Sequence, residues 1–153
     1  TQRPSDSDVI IPTNQTDIFS VGATTIVVPV NTMGAMGKGL ALYVAQEYPM
    51  VELEYKRLCR ARRITTEGGL GWASSEGINF CLFPTKRHWK YPSQIDWIKN
   101  GLRALQADLL PSEIVAIPAL GCGEGRLPWE QVRPLIHEYM NPLPNTVFVF
   151  GPR

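Results

Sequence analysis

The sequence contains no apolar stretch that approaches the ~20 residues needed to span a bilayer, and its polar first residues lack the apolar core of a secretory signal peptide. Only three of its 153 residues are cysteines, and their spacing fits neither a disulfide framework nor a zinc site. Charged residues are scarce at 19%, and the net charge of +1 gives no overall field that would indicate nucleic acid or a membrane as the partner. These features predict a soluble cytoplasmic protein, and we expect a monomer.

What the sequence does contain is apolar segments separated by glycine and proline, with 13 residues of each kind. Apolar residues make up 44% of the chain, which suits a globular core and excludes a disordered tail. No repeat or linker interrupts the pattern, so we expect residues 1–153 to form a single domain.

Short β-branched or aromatic runs alternate with helical patterns along the chain. Apolar runs predict strands at residues 9–11, 25–30, 79–83, 114–117 and 146–150. The spacing of apolar residues, together with the boundary prolines Pro49 and Pro128, predicts helices at residues 40–48, 51–63, 95–109 and 129–140. The alternation indicates an α/β domain with a largely parallel or mixed sheet. In such sheets ligands bind at the loops that leave the carboxyl ends of the strands.

The first unusual loop covers residues 30–40 and leads from a predicted strand into a helix. Its three glycines let the backbone approach a ligand, and the helix N-terminus offers free N–H groups to an anion. The loop is not a Walker A motif, because Thr32 stands where glycine is needed and Gly39 where serine or threonine is needed. Leu42 likewise breaks the dinucleotide fingerprint. With Asn31 at the strand end, the loop predicts a phosphate-ribose site; a simple strand-to-helix turn is the alternative.

The second loop, residues 118–129, repeats this arrangement with glycines at alternate positions. Such glycines allow the backbone N–H groups to form an anion-binding concavity. Two such loops at one sheet edge could enclose a diphosphate. Cys122 also invites a nucleophile interpretation, but neither His88 nor His137 is visibly tied to it, and a small residue in a tight loop is the preferred interpretation.

The third loop, residues 83–91, combines cationic and aromatic side chains after a buried strand. Such a cluster can bind a phosphate backbone and stack a base. A solvated basic loop anchored by a tryptophan is the alternative. The basic residues of the predicted helix at 51–63 add local positive charge, for which a solvated helix face is the default interpretation.

Together these loops resemble the macro domain family, the ADP-ribose-binding α/β module, and within it the subgroup that contains the DarG antitoxin and the human terminal ADP-ribose protein glycohydrolase. Residues 30–41 look like the subgroup's first loop, and residues 83–89 look like the DarG motif that carries its catalytic lysine. Residues 117–123, followed by Leu127 and Trp129, look like its diphosphate loop. The resemblance covers nearly the whole chain. It implies a three-layer α/β/α fold around a six-stranded mixed sheet.

The resemblance also implies which residues bind ADP-ribose. Asp17, followed by Ile18, resembles the aspartate that accepts a hydrogen bond from the adenine amino group, and Asn31 would hold the distal ribose. Phe150 would lie against the adenine, although an apolar strand end serves the core equally well. The diphosphate and distal ribose are expected to lie along Gly37, Gly39, Gly121, Cys122, Gly123, Glu124, Gly125 and Leu127.

By the same resemblance, Lys86 is the catalytic residue, beside the anomeric carbon of the distal ribose. An amine with a lowered pKa can attack that carbon and expel the modified group as a sugar–lysine intermediate forms. Electrostatic positioning of the leaving group is the alternative role. No metal or cofactor is implied. Gly125 stands where the human relative has an assisting aspartate. DarG also lacks that aspartate, so this departure favours a DarG-like assignment over the human type. Glu124 and His88 are then the candidates for the second proton-transfer group.

The predicted activity is therefore hydrolysis of an ADP-ribosyl linkage. By resemblance to DarG, the substrate would be ADP-ribose on a nucleobase of single-stranded DNA, with a DarT-like toxin as a counterpart. The expected nucleic-acid contacts are Arg87, His88, Trp89 and Lys90. ADP-ribose esters of Glu or Asp in proteins are an alternative substrate, and a non-catalytic ADP-ribose reader is an alternative function. The broken Walker pattern argues against a nucleotide kinase.

Overall fold

The structure, a computed structural model, describes residues 18–152 and has a five-stranded sheet at its centre. The strands are β1 (Thr25–Asn31), β2 (Gly71–Ser75), β3 (Ile78–Lys86), β4 (Ile114–Ile117) and β5 (Thr146–Val149). Their order is β2-β3-β1-β4-β5. Strands β3, β1, β4 and β5 run parallel to one another, whereas β2 is antiparallel to β3, so the sheet is mixed as predicted.

Helices cover both faces of the sheet, which confirms the three-layer α/β/α arrangement. The helices are α1 (Gly39–Glu47), α2 (Pro49–Arg60), α3 (Ile95–Asp108) and α4 (Trp129–Met140). Alternate residues of β1 point to opposite faces: Val28 joins a core with α1 and α2, and Val27 joins a core with α3 and α4. Within residues 18–152, no helix is both long and apolar enough to cross a membrane.

The described residues contain five strands rather than the six expected. The run at residues 9–11 lies outside them, as does Asp17. Strand β2 was not predicted because its sequence, GWASS, contains no β-branched residue. The feature that could have indicated β2 is the turn formed by Glu76 and Gly77, which follows it. Both residues have positive φ, of 52° and 80°, as a two-residue hairpin turn requires.

Two predicted boundaries were wrong by three residues. Strand β3 runs three residues further, to Lys86, so the start of the predicted third loop is part of the sheet. Helix α2 stops at Arg60 rather than residue 63, because Arg62 adopts a left-handed φ of 57°. The N–H of Arg63 then donates to the Leu58 carbonyl at 2.9 Å, a bond that closes the helix end.

Glu113 connects the amino ends of the parallel strands through its carboxylate and its backbone carbonyl. Glu113, which precedes β4, accepts hydrogen bonds from the Thr25 hydroxyl of β1 and from Asn79 Nδ2 of β3, the latter at 3.0 Å. Asn145 Nδ2, which precedes β5, donates to the Glu113 carbonyl at 2.9 Å. This edge of the sheet is therefore closed by polar contacts, whereas the opposite edge is left open for a site.

We predict that Glu113 makes stability depend on pH. Burial raises the pKa of Glu113, but hydrogen bonds from Thr25 and Asn79 outweigh it, and the pKa is lowered below its ordinary value. A carboxyl whose pKa is lower in the folded state than in the unfolded state stabilises the fold at pH values above its unfolded-state pKa of about 4.3. This contribution to stability is lost as the pH falls through the folded-state pKa. Glu113→Gln should lower the free energy of unfolding at pH 7 by about 1–2 kcal/mol, measured by urea denaturation.

The difference between Glu113→Gln and the wild type should shrink below a pH of about 4. Glu138→Gln, at an exposed position on α4, is the control and should match the wild type throughout. A Glu113→Gln deficit that is equally large at pH 3 and pH 7 would contradict this role.

Candidate functional site

A cleft of about 640 Å³ opens at the carboxyl edge of the sheet. It lies where β1 and β4 separate: they pair only at Thr25 and Ile26 of β1, although β1 pairs with β3 along its whole length. Pro29 and Pro118 line the gap, and neither has an N–H group that could extend the ladder across it. The two glycine-rich loops and the end of β3 form the walls, as the strand-to-helix pattern predicted.

Most of the predicted site residues line this one cleft. They are Ile18, Asn31, Gly37, Gly39, Lys86, Trp89, Gly121, Cys122, Gly123, Glu124, Gly125 and Phe150. Leu127 does not line it but packs against the core beneath α3 and α4. Arg87, His88 and Lys90 also lie outside the lining.

Asn31 holds the first loop in shape. Its Oδ1 accepts the N–H of Met33 at 2.9 Å, and its Nδ2 donates to the Ala35 carbonyl at 2.9 Å. The hydroxyl of Tyr55, a fully buried residue of α2, lies 2.6 Å from the Asn31 carbonyl and 2.9 Å from Oδ1. Sequence reasoning missed Tyr55; the only signal was a tyrosine among apolar positions of a basic helix. Both the oxygen and the nitrogen of the Asn31 side-chain amide thus form hydrogen bonds within the loop itself.

The second loop is packed too tightly at Gly125 to accept a side chain. A Cβ there would lie 2.2 Å from Ser93 Oγ and 2.5 Å from the Gly121 carbonyl oxygen. The N–H of Ser93 donates to the Gly125 carbonyl at 2.9 Å, which fixes the loop over the start of α3. An aspartate at this position would therefore require the loop to move, which gives a steric reason for the glycine.

The thiol of Cys122 is poorly suited to nucleophilic attack. Cys122 is half-buried, and burial, followed by the charge of Glu130, raises its pKa to about 11. Since the thiolate is the nucleophilic form, the residue is inert at neutral pH. The packing interpretation of Cys122 fits this environment.

Lys86 is only 8% exposed and stands where the pairing of β1 with β3 is interrupted. Val30 pairs with Pro84 and Asn31 with Lys86, so Thr85 is an extra residue in β3, a bulge of the kind that redirects side chains beside active sites. The Lys86 Nζ donates to the Trp89 carbonyl. Sequence reasoning had no signal for this bulge.

The surroundings of Lys86 favour its neutral form. Burial lowers the pKa of Lys86; Glu124 opposes this shift, and the charges of Arg126 and Lys38 reinforce it. A larger fraction of neutral amine is therefore present at a given pH than in an ordinary lysine, which makes the group a better nucleophile.

Glu124 and Lys38 join the two glycine-rich loops at the exposed rim of the cleft. The Lys38 Nζ lies 2.8 Å from Glu124 Oε1. The hydrogen bond from Lys38 lowers the pKa of Glu124, so this carboxyl is ionised at neutral pH and is a poor proton donor. The geometry thus counts against Glu124 as a general acid.

Arg87 is held by residues outside the cleft. Its Nε donates to Thr66 Oγ1 at 2.9 Å, its Nη2 donates to Glu67 at 2.7 Å, and its guanidinium lies 4.8 Å from the centre of the Trp97 ring. His88 Nδ1 accepts the N–H of Lys90 at 3.0 Å. This placement favours a structural role for Arg87 rather than the predicted contact with nucleic acid.

The match to known proteins agrees with this site. The model of the macro domain family matches residues 27–136, from within β1 to within α4. This range includes β3, β4 and both glycine-rich loops. The chain belongs to the macro domain family. Within residues 18–152 of this macro domain, no group of three His, Cys, Asp or Glu side chains is placed to hold a metal ion.

This chain is similar to curated relatives whose structures have also been solved. A DNA ADP-ribosyl transferase–DNA ADP-ribosyl glycohydrolase fusion protein from Thermosipho africanus is 36% identical over 89% of this chain and 40% of its own length. The structure of Thermosipho africanus DarTG in complex with ADP-ribose covers 88% of this chain and 39% of its own, with a TM-score of 0.80 and 36% identity. A DNA ADP-ribosyl glycohydrolase from Mycobacterium tuberculosis is 33% identical over 89% of this chain and 40% of its own length.

The macrodomain of Mycobacterium tuberculosis DarG has a TM-score of 0.83 and 31% identity, and the match covers 90% of this chain and 93% of that one. The chain thus spans about 40% of the length of the two curated relatives but nearly all of this solved macrodomain.

We predict that the second loop tolerates a methyl group at Gly123 but not at Gly125. A Cβ at Gly123 would have no atom within 4 Å, in contrast to the close contacts at Gly125. Gly125→Ala should lower the free energy of unfolding by about 1–3 kcal/mol, the usual cost of overpacking. Gly123→Ala should stay within about 0.5 kcal/mol of the wild type. Thermal denaturation of both variants tests this, and equal midpoints would refute the packing described at Gly125.

Proposed function

We propose that this macro domain binds ADP-ribose and removes it from a nucleobase in single-stranded DNA. The observation that carries the proposal is the buried Lys86 amine, with its lowered pKa, in a cleft between two glycine-rich loops. The names of the two curated relatives, both DNA ADP-ribosyl glycohydrolases, support the reaction. The ADP-ribose in the solved DarTG structure supports the ligand.

The cleft suits an extended dinucleotide-like ligand with a charged centre. Its volume of about 640 Å³ lies within the usual range for small-molecule sites. Ile18 and Phe150 line the cleft and would give the adenine an apolar surface. Asp17, which lies outside the described residues, would accept a hydrogen bond from the adenine amino group. The 121–125 backbone and the N-terminus of α1 would face the diphosphate, with the distal ribose beside Asn31 and Lys86.

Lys86 would act as the nucleophile. The lone pair of its neutral amine forms a bond to the anomeric carbon while the glycosidic bond breaks, and the base leaves with the bonding electrons. The new ammonium then gives up a proton, and the leaving base takes one from the surrounding water. Water finally cleaves the sugar–lysine bond, which releases ADP-ribose and restores the amine. Each of these steps needs only the lysine and water.

The counterpart of such an enzyme is a DNA ADP-ribosyl transferase that makes the modification. The fusion of both activities in the relative from Thermosipho africanus supports a DarT-like counterpart for this chain. We place the reaction in the cytoplasm, with the domain acting as a monomer.

Lys86 variants test the proposed chemistry. The substrate is a single-stranded oligonucleotide that carries ADP-ribose on a thymine, and release of ADP-ribose is measured by chromatography. Lys86→Ala should lose at least about 100-fold in turnover, the lower end of the effect of a group that acts in the chemical step. Because the neutral amine is the reactive form, the wild-type rate should rise with pH through a pKa below 10.5.

Lys86→Arg separates the two possible roles of the lysine, since arginine keeps the charge but offers no free amine at neutral pH. Turnover equal to the wild type in Lys86→Arg would exclude nucleophilic attack. No release by the wild type, with free ADP-ribose still bound, would favour protein esters as the substrate or a reader function.

Gly123→Glu tests the position of the diphosphate. A Cβ at Gly123 would meet no atom within 4 Å, so the variant should fold with the wild-type midpoint. A carboxylate against the diphosphate should weaken ADP-ribose binding by about 100-fold or more in calorimetry, since like charges that face each other cost several kcal/mol. Gly123→Gln, with similar bulk and no charge, should lose less. Unchanged affinity in a folded Gly123→Glu variant would show that the diphosphate lies elsewhere.

A further inference from the structure

Three aromatic side chains stand together on the segment that follows β3, and we call them the aromatic rim: His88, Trp89 and Tyr91. The His88 ring centre lies 5.4 Å from that of Trp89 and 5.2 Å from that of Tyr91. Trp89 is 58% exposed and Tyr91 is 60% exposed, and Trp89 also lines the cleft. Large rings that are exposed beside a functional cleft present surface for a ligand rather than for the core.

We propose that the aromatic rim binds the nucleotides next to the modified base by stacking, and so gives the enzyme its preference for a polynucleotide over a free nucleoside. The inference rests on the proposed function, because it takes the polymer to leave the cleft beside Lys86. Aromatic side chains are sequence-tolerant platforms for single-stranded bases.

The aromatic rim lies next to Lys86, the proposed nucleophile. The Lys86 Nζ donates to the carbonyl of Trp89, so the residue that carries one exposed ring also holds the amine. Because Trp89 also lines the cleft, a strand attached to a base at Lys86 would leave the cleft beside Trp89. A base inside a duplex cannot reach a group as buried as Lys86, so the strand must be unpaired at this point.

The charge beside the rim also matches a polynucleotide. Lys90 lies between Trp89 and Tyr91 and is exposed, and the ion pairs found within residues 18–152 do not include it. Arg87, in contrast, is paired with Glu67. Lys90 is therefore the cation of this segment that is open to a phosphate. One such contact adds about one unit to the salt dependence of binding.

Binding to Lys86→Ala protein tests the rim without turnover of the substrate. Calorimetry compares ADP-ribosylated thymidine with a single-stranded decamer that carries the same modification at its centre. We expect the decamer to bind about tenfold or more tightly, the size of one base-aromatic stack. Adding Tyr91→Ala or Trp89→Ala should remove most of this gain, while Trp89→Phe, which keeps a ring, should retain part of it. Lys90→Gln should reduce the salt dependence of decamer binding alone.

Leu53→Ala is the matched control, since Leu53 is equally exposed, at 60%, but lies on α2. It should keep the full gain from the flanking nucleotides. Equal affinities for thymidine and decamer derivatives, or a gain that survives the rim variants, would overturn the rim proposal. The rim proposal would also be overturned if the affinity for an ADP-ribosylated peptide depended on Tyr91 to the same extent. The proposed chemistry is tested separately, by the release of ADP-ribose from ADP-ribosylated thymidine by the wild-type protein. The proposed function and the rim proposal can therefore fail independently.

Discussion

The separation of β1 from β4 is the constraint on which the site depends. Parallel strands bring their carboxyl ends to one edge of a sheet, but an unbroken ladder would leave no room between them. Here β1 pairs with β4 at two residues only, and Pro29 and Pro118 stand on either side of the opening. The resulting gap is where both glycine-rich loops and the end of β3 converge. The contacts of Glu113 close the other edge of the sheet, so the strands are held together at one end and separate at the other.

Within this gap, the surroundings of Lys86 lower its pKa below that of a lysine on the surface. Burial and the nearby cations favour its neutral form, whereas Glu124 alone opposes them and is itself bound to Lys38. The bulge at Thr85 brings the amine into the cleft, and the Trp89 carbonyl holds it there. A single irregularity in β3 therefore joins the sheet, the reactive group and the aromatic rim.

Much of this arrangement could be predicted from the sequence, because it depends on local patterns. Apolar runs and glycine spacing identified four of the five described strands, all four helices and both loops that wall the cleft. What could not be predicted depends on contacts between distant segments. Tyr55 reaches Asn31 from α2, Ser93 excludes a side chain at Gly125, and the bulge at Thr85 arises from pairing with β1. The contacts of Arg87 with Glu67 and Trp97 could not be predicted for the same reason, since they form only in the folded chain.

The bridge between Lys38 and Glu124 has a consequence for the shape of the cleft. It joins the two glycine-rich loops through exposed side chains, and both residues line the cleft. Exposed ion pairs contribute little free energy, so breaking this contact costs little. The width of the cleft between the two loops therefore depends on a contact that salt weakens, whereas its base depends on the pairing of the strands.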